Sequence, residues 1–169
     1  VRDLFRRDRR PDLDVAAGER LLAWASGRTG TVGGTRDALY LPGDPDDSGP
    51  RRVPWETVAS AEWDADESVL RVTELAPWGE QQPVHLLALD DPARLLQLVR
   101  ERVTASIVVQ RHVPVRRRQE VRVVGRRAPR GSGEITWLVD YDAALDPSDP
   151  AVRQVVDAAL AAARADVGA

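Results

Sequence analysis

The chain has 169 residues, with 24 basic residues that are all Arg, 27 acidic residues, two His, no Cys and a formal net charge of −3. That length suits one domain, or one with a small second lobe, burying roughly 70% of its unfolded surface without disulfide staples. Schiff-base and P-loop chemistry are closed without Lys, and two His without Cys cannot fill a tetrahedral zinc site unless carboxylates join them.

The exclusive use of Arg reads as the codon bias of a GC-rich bacterial genome. Cys is absent, no apolar run approaches the roughly 18 residues of a membrane span, and no signal-peptide pattern opens the chain. The expected location is cytoplasmic. Residues 1–17 alternate Arg2, Arg6, Arg7, Arg9 and Arg10 with acidic residues around Pro11, and are expected to form a flexible or weakly docked basic arm.

Gly18-Glu19 opens the folded part. Leu21 to Ala25, Thr29 to Gly33 and Ala38 to Leu41 are expected strands, and Pro42 to Pro50 is a loop of turn residues. Arg51 to Val72 then reads as three strands. Val53 and Trp55 alternate with polar or Pro neighbours, as do Ala59, Ala61 and Trp63, then Leu70 and Val72. Asp64 to Ser68 is the turn between the last two. Val84 to Leu89 is a seventh strand. Asp91-Pro92 then starts a helix over 92–105, with Asp91 as N-cap and Leu95, Leu96, Val99 and Val103 on one face.

Seven short antiparallel strands and a closing helix resemble the pleckstrin-homology-like fold of the bacterial PH and GRAM-type families over residues 18–105. The resemblance rests on Gly18-Glu19, on Thr35-Arg36-Asp37-Ala38-Leu39-Tyr40, and on Val53-Pro54-Trp55-Glu56-Thr57-Val58 followed by Leu70-Arg71-Val72. It implies a seven-stranded curled sheet or barrel plugged by the helix, and a scaffold that binds proteins, peptides or lipid headgroups without doing chemistry. In that family headgroups are usually held by a basic loop between the first two strands. The corresponding loop here offers Arg28 and little else.

Residues 106–169 form a second unit. Ile107, Val109, Val113 and Val115 alternate, then Val121 and Val123, then Ile135, Trp137, Val139 and Tyr141. A helix follows Asp146-Pro147-Ser148-Asp149-Pro150, with Asp149 or Asp146 as cap, an apolar stripe of Val152, Val155, Val156, Leu160 and Ala163, and Gly168 as its end. The expected class is α+β, with a small antiparallel β-β-β-α unit after the first domain.

Catalytic signatures are weak. Asp140 and Asp142 share a strand face and could act as an acid–base pair or hold a metal, although alternation around Tyr141 already explains their exposure. His85 and His112 are far apart in sequence. Asp44-Pro45-Asp46-Asp47-Ser48 lacks the spacing of a calcium loop, Ser132 lies in no nucleophile elbow, and Gly27, Gly30, Gly33 and Gly34 match no phosphate-cradling motif. No catalytic centre, cofactor or metal is expected.

Two features point to binding. Trp78, between Pro77 and Gly79, is the Trp expected to be exposed and to touch a partner. Arg111 to Arg130 holds eight Arg against Glu120 alone, a local charge of +7. Arg116, Arg117, Arg118 and Arg122 are its candidate docking residues. The expected partner is an acidic protein or peptide. The alternative is a nucleic-acid or anionic-membrane-surface binder working through the same segment, with sequence-specific nucleic acid disfavoured by the lack of interleaved aromatics. Pairing of these Arg with Asp140 and Asp142 is the competing, purely structural reading.

Overall fold

The first strands divide into two groups after Pro54. That residue carries no N–H to continue a ladder, and the chain after it turns through a short 3-10 helix, Trp55–Thr57. On one side lie β1 (Ala23–Gly27), β2 (Gly30–Gly34), β3 (Ala38–Leu41) and β4 (Arg51–Pro54), paired antiparallel in chain order. On the other lie β5 (Val58–Asp64), β6 (Val69–Glu74) and β7 (Val84–Ala88), also antiparallel in chain order. The expected single seven-stranded sheet is therefore two sheets, of four and three strands, with no closed barrel. Trp55, expected on a strand, sits in the 3-10 turn, where it is fully buried.

The computed structural model describes residues 10–43, 49–76, 80–131 and 133–168. It divides into Val1–Pro54 with Val58–Glu101, and Trp55–Thr57 with Arg102–Ala169. The helix α1 (Ala93–Ser106) leads into β8 at Ile107 with no linker between them.

In the first unit the two sheets come together at the end of β7. Among the described residues a single isolated bridge joins them, Ser26 with Asp90, closed by the Asp90 N–H donating to the Ser26 carbonyl at 2.8 Å. Gly27 permits this approach, because a Cβ there would lie 2.7 Å from Leu89 Cα and 2.8 Å from the Ala88 carbonyl carbon. The turn between β5 and β6 is held as its sequence suggested. Asp64 Oδ1 accepts from the N–H groups of Asp66 and Glu67, each at 3.0 Å.

All four residues of β3 are buried, which strand alternation alone does not anticipate. Residues 11–16 lie over one of its faces. The Ala16 N–H donates to the Tyr40 hydroxyl at 2.9 Å, and Leu13 occupies the space that a side chain at Gly33 would fill. Beside them Glu19 accepts from two side chains through three donors. Its Oε2 accepts from Thr35 Oγ1 at 2.5 Å, and its Oε1 accepts from Arg52 Nε at 2.8 Å and Nη2 at 2.6 Å. Burial alone would raise the Glu19 carboxyl, but the Thr35 hydroxyl and the Arg52 guanidinium outweigh it and hold the pKa below its ordinary value.

A depressed folded-state pKa contributes stability above the unfolded-state pKa. That stability is lost as the pH falls through the folded value. Glu19→Gln is therefore expected to lower stability at pH 7 by about 1.5–3 kcal/mol, the range for hydrogen bonds to charged groups. The gap from wild type should close in acid. Urea unfolding of both proteins at a series of pH values checks this, and a gap independent of pH would refute it.

The stripe of α1 differs from its expected membership. Leu95, Leu98 and Val99 are buried at helical steps of three and four, while Leu96 and Val103 are only half-buried. Asp91, expected as N-cap, lies in the left-handed region at φ 45°, away from the extended backbone of a cap. The first helical hydrogen bond instead runs from Leu96 N–H to the Pro92 carbonyl, one residue later than expected.

The second unit has the β-β-β-α order. β8 (Ile107–Arg116), β9 (Gln119–Arg126) and β10 (Thr136–Tyr141) form an antiparallel sheet with β9 central. The helix α2 (Pro150–Val167) packs on one face through Val152, Val156, Ala159 and Ala163, against Val121, Val123, Val113 and Val139. Fully burying a Val is worth about 1.5–3 kcal/mol, so this layer carries the unit. Asp149 caps α2 by accepting from Ala151 N–H at 2.8 Å, Pro150 opens it, and Gly168 ends it at φ 68°. Arg164 lies over the Trp137 ring, 5.8 Å from its centroid.

Candidate functional site

The basic segment folds as the β8–β9 hairpin, with Arg117-Arg118 as its two-residue tip and Arg118 at φ 62°. Alternation turns Val121 and Val123 of β9 toward α2 and leaves Glu120 and Arg122 exposed, as their spacing suggests. On that outer face the register lines up His112 with Arg122 and Arg122 with Asp140.

The arginines do not form one ridge. Arg122 Nε donates to Asp140 Oδ2 at 2.9 Å. Arg111 Nε donates to Asp166 Oδ2 near the C-terminal end of α2 at 2.9 Å, and Arg116 pairs with Asp149 at its N-cap. Both latter pairs tie β8 to α2. A register irregularity between Pro114 and Arg116 precedes the second. Each is solvent-exposed enough to be worth no more than about 1 kcal/mol.

Arg126 is buried. Its Nη1 donates to Ser106 Oγ at 2.8 Å and to the Val103 carbonyl at 3.4 Å, so it closes the C-terminal turn of α1. Burial, then the charge of Arg122, pulls its pKa down, against the opposing effect of Asp140. Arg117 and Arg118 are exposed at the tip, and no carboxylate among the described residues pairs with them. Arg127 is half-buried and Arg130 exposed in the stretch after β9, so the exposed tip is one part of a positive segment that continues past the hairpin.

No family model matches the chain. No curated protein and no solved structure matches it either. The reading of the site therefore rests on its own geometry.

Asp140 and Asp142 hold different partners. Asp140 holds Arg122, while Asp142 accepts from the Glu120 N–H at 2.7 Å. His112 Nδ1 and Glu120 Oε1 are 2.9 Å apart, and His112 Nε2 is 2.8 Å from Gln110 Nε2, all on open sheet surface. No group of three His, Asp or Glu residues among those described is arranged to hold a metal. Trp78, Ser132 and the loop Asp44 to Ser48 lie outside the described residues, as does most of the N-terminal arm.

Two polar clusters escaped the sequence reading because their members are distant along the chain. One is Glu19 with Thr35 and Arg52. The other is Glu74, a nearly buried carboxylate whose Oε1 accepts from Arg51 Nε at 3.0 Å and lies 2.6 Å from His85 Nε2. The only available signal was a Glu in place of the apolar residue that alternation after Leu70 and Val72 demands.

Proposed function

We propose that the chain is a non-catalytic binding module of the cytoplasm, whose first unit is pleckstrin-homology-like and whose second unit docks an acidic protein or peptide. Support for the first part is the chain order of a four-stranded meander, a three-stranded meander and a helix. No helix among the described residues is long and apolar enough to cross a membrane. Arg28 stands alone in the exposed turn between β1 and β2, which argues against a headgroup site there.

The observation that carries the docking site is the pair Arg117 and Arg118, exposed on a hairpin tip while Arg111, Arg116 and Arg122 are paired and Arg126 is buried. The two arginines of the tip by themselves neutralise about two phosphates, too few for the steep salt dependence of a nucleic-acid binder. They suffice to steer an acidic protein over about 8–10 Å, a Debye length near physiological salt. The double change Arg117→Gln, Arg118→Gln leaves every ion pair described above intact. It is expected to keep the melting temperature and to lose partners that wild type recovers from nuclease-treated extract at physiological salt. Unchanged recovery would refute the tip as a docking site.

A further inference from the structure

Among the described residues β7 is an edge strand whose outward side is open over two residues. The pairing of β6 with β7 sets Glu74 opposite Pro83 and Ser68 opposite Leu89. Hydrogen bonds at both places run from Glu74 N–H to the Pro83 carbonyl and from Leu89 N–H to the Ser68 carbonyl. In an antiparallel ladder the bonded positions alternate. His85 and Leu87 therefore direct their N–H and C=O groups at β6, while Val84, Leu86 and Ala88 direct theirs away from it. The Ala88 carbonyl accepts from Thr29 Oγ1 at 3.3 Å, and Asp90 is bridged to Ser26, so that end of the edge is occupied. Val84 and Leu86 keep theirs outward, and the two residues are 47% and 54% exposed.

Exposed edges are ordinarily blunted by charge, bulge or Pro. Pro83 precedes the open stretch, but Val84-His85-Leu86-Leu87 carries no fixed charge and no bulge. What flanks it is acidic and exposed, Glu80 before it and Asp90 and Asp91 after it. A second copy of β7, in either direction, would therefore bring acid against acid at both ends, which is destabilising across paired strands. The charge favours a different occupant.

We infer that the outer edge of β7 binds an extended peptide segment that pairs with Val84 and Leu86 through its main chain, presents apolar residues on alternate positions beside them, and carries arginine or lysine at its ends. This site is separate from the hairpin tip and takes a partner of the opposite charge. Main-chain bonds supply the pairing and the alternate side chains supply the selection.

The test titrates the full chain with a synthetic peptide, Arg-Thr-Val-Thr-Val-Thr-Arg, to millimolar concentration, and with the same peptide carrying Glu at both ends. Backbone amide shifts and amide exchange are read at Val84 and Leu86. The Arg-flanked peptide is expected to bind at least about tenfold tighter than the Glu-flanked one, and to protect those two amides. Leu86→Pro removes one outward N–H without touching the bonds to β6, and Pro is tolerated on edge strands. It should weaken binding about tenfold or more. Should that variant fail to melt cooperatively, Val84→Arg decides instead, since it keeps the main chain and sets a cation against the peptide. The inference is overturned if neither peptide binds, if both bind equally, or if the deciding variant binds like wild type. It is also overturned if the free protein self-associates with Val84 and Leu86 protected.

Discussion

Val99→Asp is expected to abolish cooperative unfolding of the first unit at 25 °C. Val99 is 3% exposed on the buried stripe of α1, beside Leu95 and Leu98. A carboxylate placed there has no designed partner. It must either stay charged, at several kcal/mol, or bind a proton and still leave its oxygens poorly satisfied. Domain stabilities of about 5–15 kcal/mol leave little reserve against such a change. Urea titration followed by Trp fluorescence and circular dichroism checks it, with Gln97→Asp on the exposed side of the same helix as the control. That control gives up the 3.0 Å bond from Gln97 to Glu101 and sets like charges one turn apart, so a loss of only about 1 kcal/mol is expected. A Val99→Asp transition with the wild-type midpoint would show that α1 does not pack as described.

Gly27→Val is expected to cost about 3 kcal/mol or more and to lower the melting temperature by roughly 10 °C or more. The first atom of any side chain there meets the Leu89 Cα at 2.7 Å and the Ala88 carbonyl carbon at 2.8 Å. These are backbone atoms, which cannot rotate aside as a flexible side chain would. β1 must draw away from the end of β7, and the Asp90-to-Ser26 hydrogen bond is lost with it. Gly27→Ala places the same Cβ and should show much of the effect. Gly49→Ala meets nothing within 4 Å and should be close to neutral. Thermal melts of the three variants, with amide exchange at Asp90, decide it. A wild-type melt for Gly27→Ala would refute the contact.

Local pattern carried most of the architecture. Alternation placed the strands of both units to within about three residues, with Trp55 wrongly taken into the fourth. Asp149 and Gly168 marked the limits of α2. Long-range grouping was not legible. Nothing in Val53-Pro54-Trp55 says that the ladder stops there rather than bending, because Pro is compatible with an edge strand as well as with a break. The α1 stripe was misread by one position because Leu95, Leu96, Leu98 and Val99 offer two apolar faces, and only packing selects between them. The basic segment was legible as charge but not as a site. The carboxylates that claim Arg111, Arg116 and Arg122 lie 18 to 55 residues away in the chain. The open edge of β7 was invisible for a related reason, since a strand's sequence does not say whether it lies inside a sheet or at its border.

The single bridge between the two sheets of the first unit gives that unit a seam. Within each sheet the ladders are continuous from strand to strand. The contacts that join the sheets across the seam include one backbone bridge, the Thr29 hydroxyl and the Arg51–Glu74 ion pair. An opening along that line would leave each ladder whole, whereas global unfolding must also expose the buried apolar residues of both sheets.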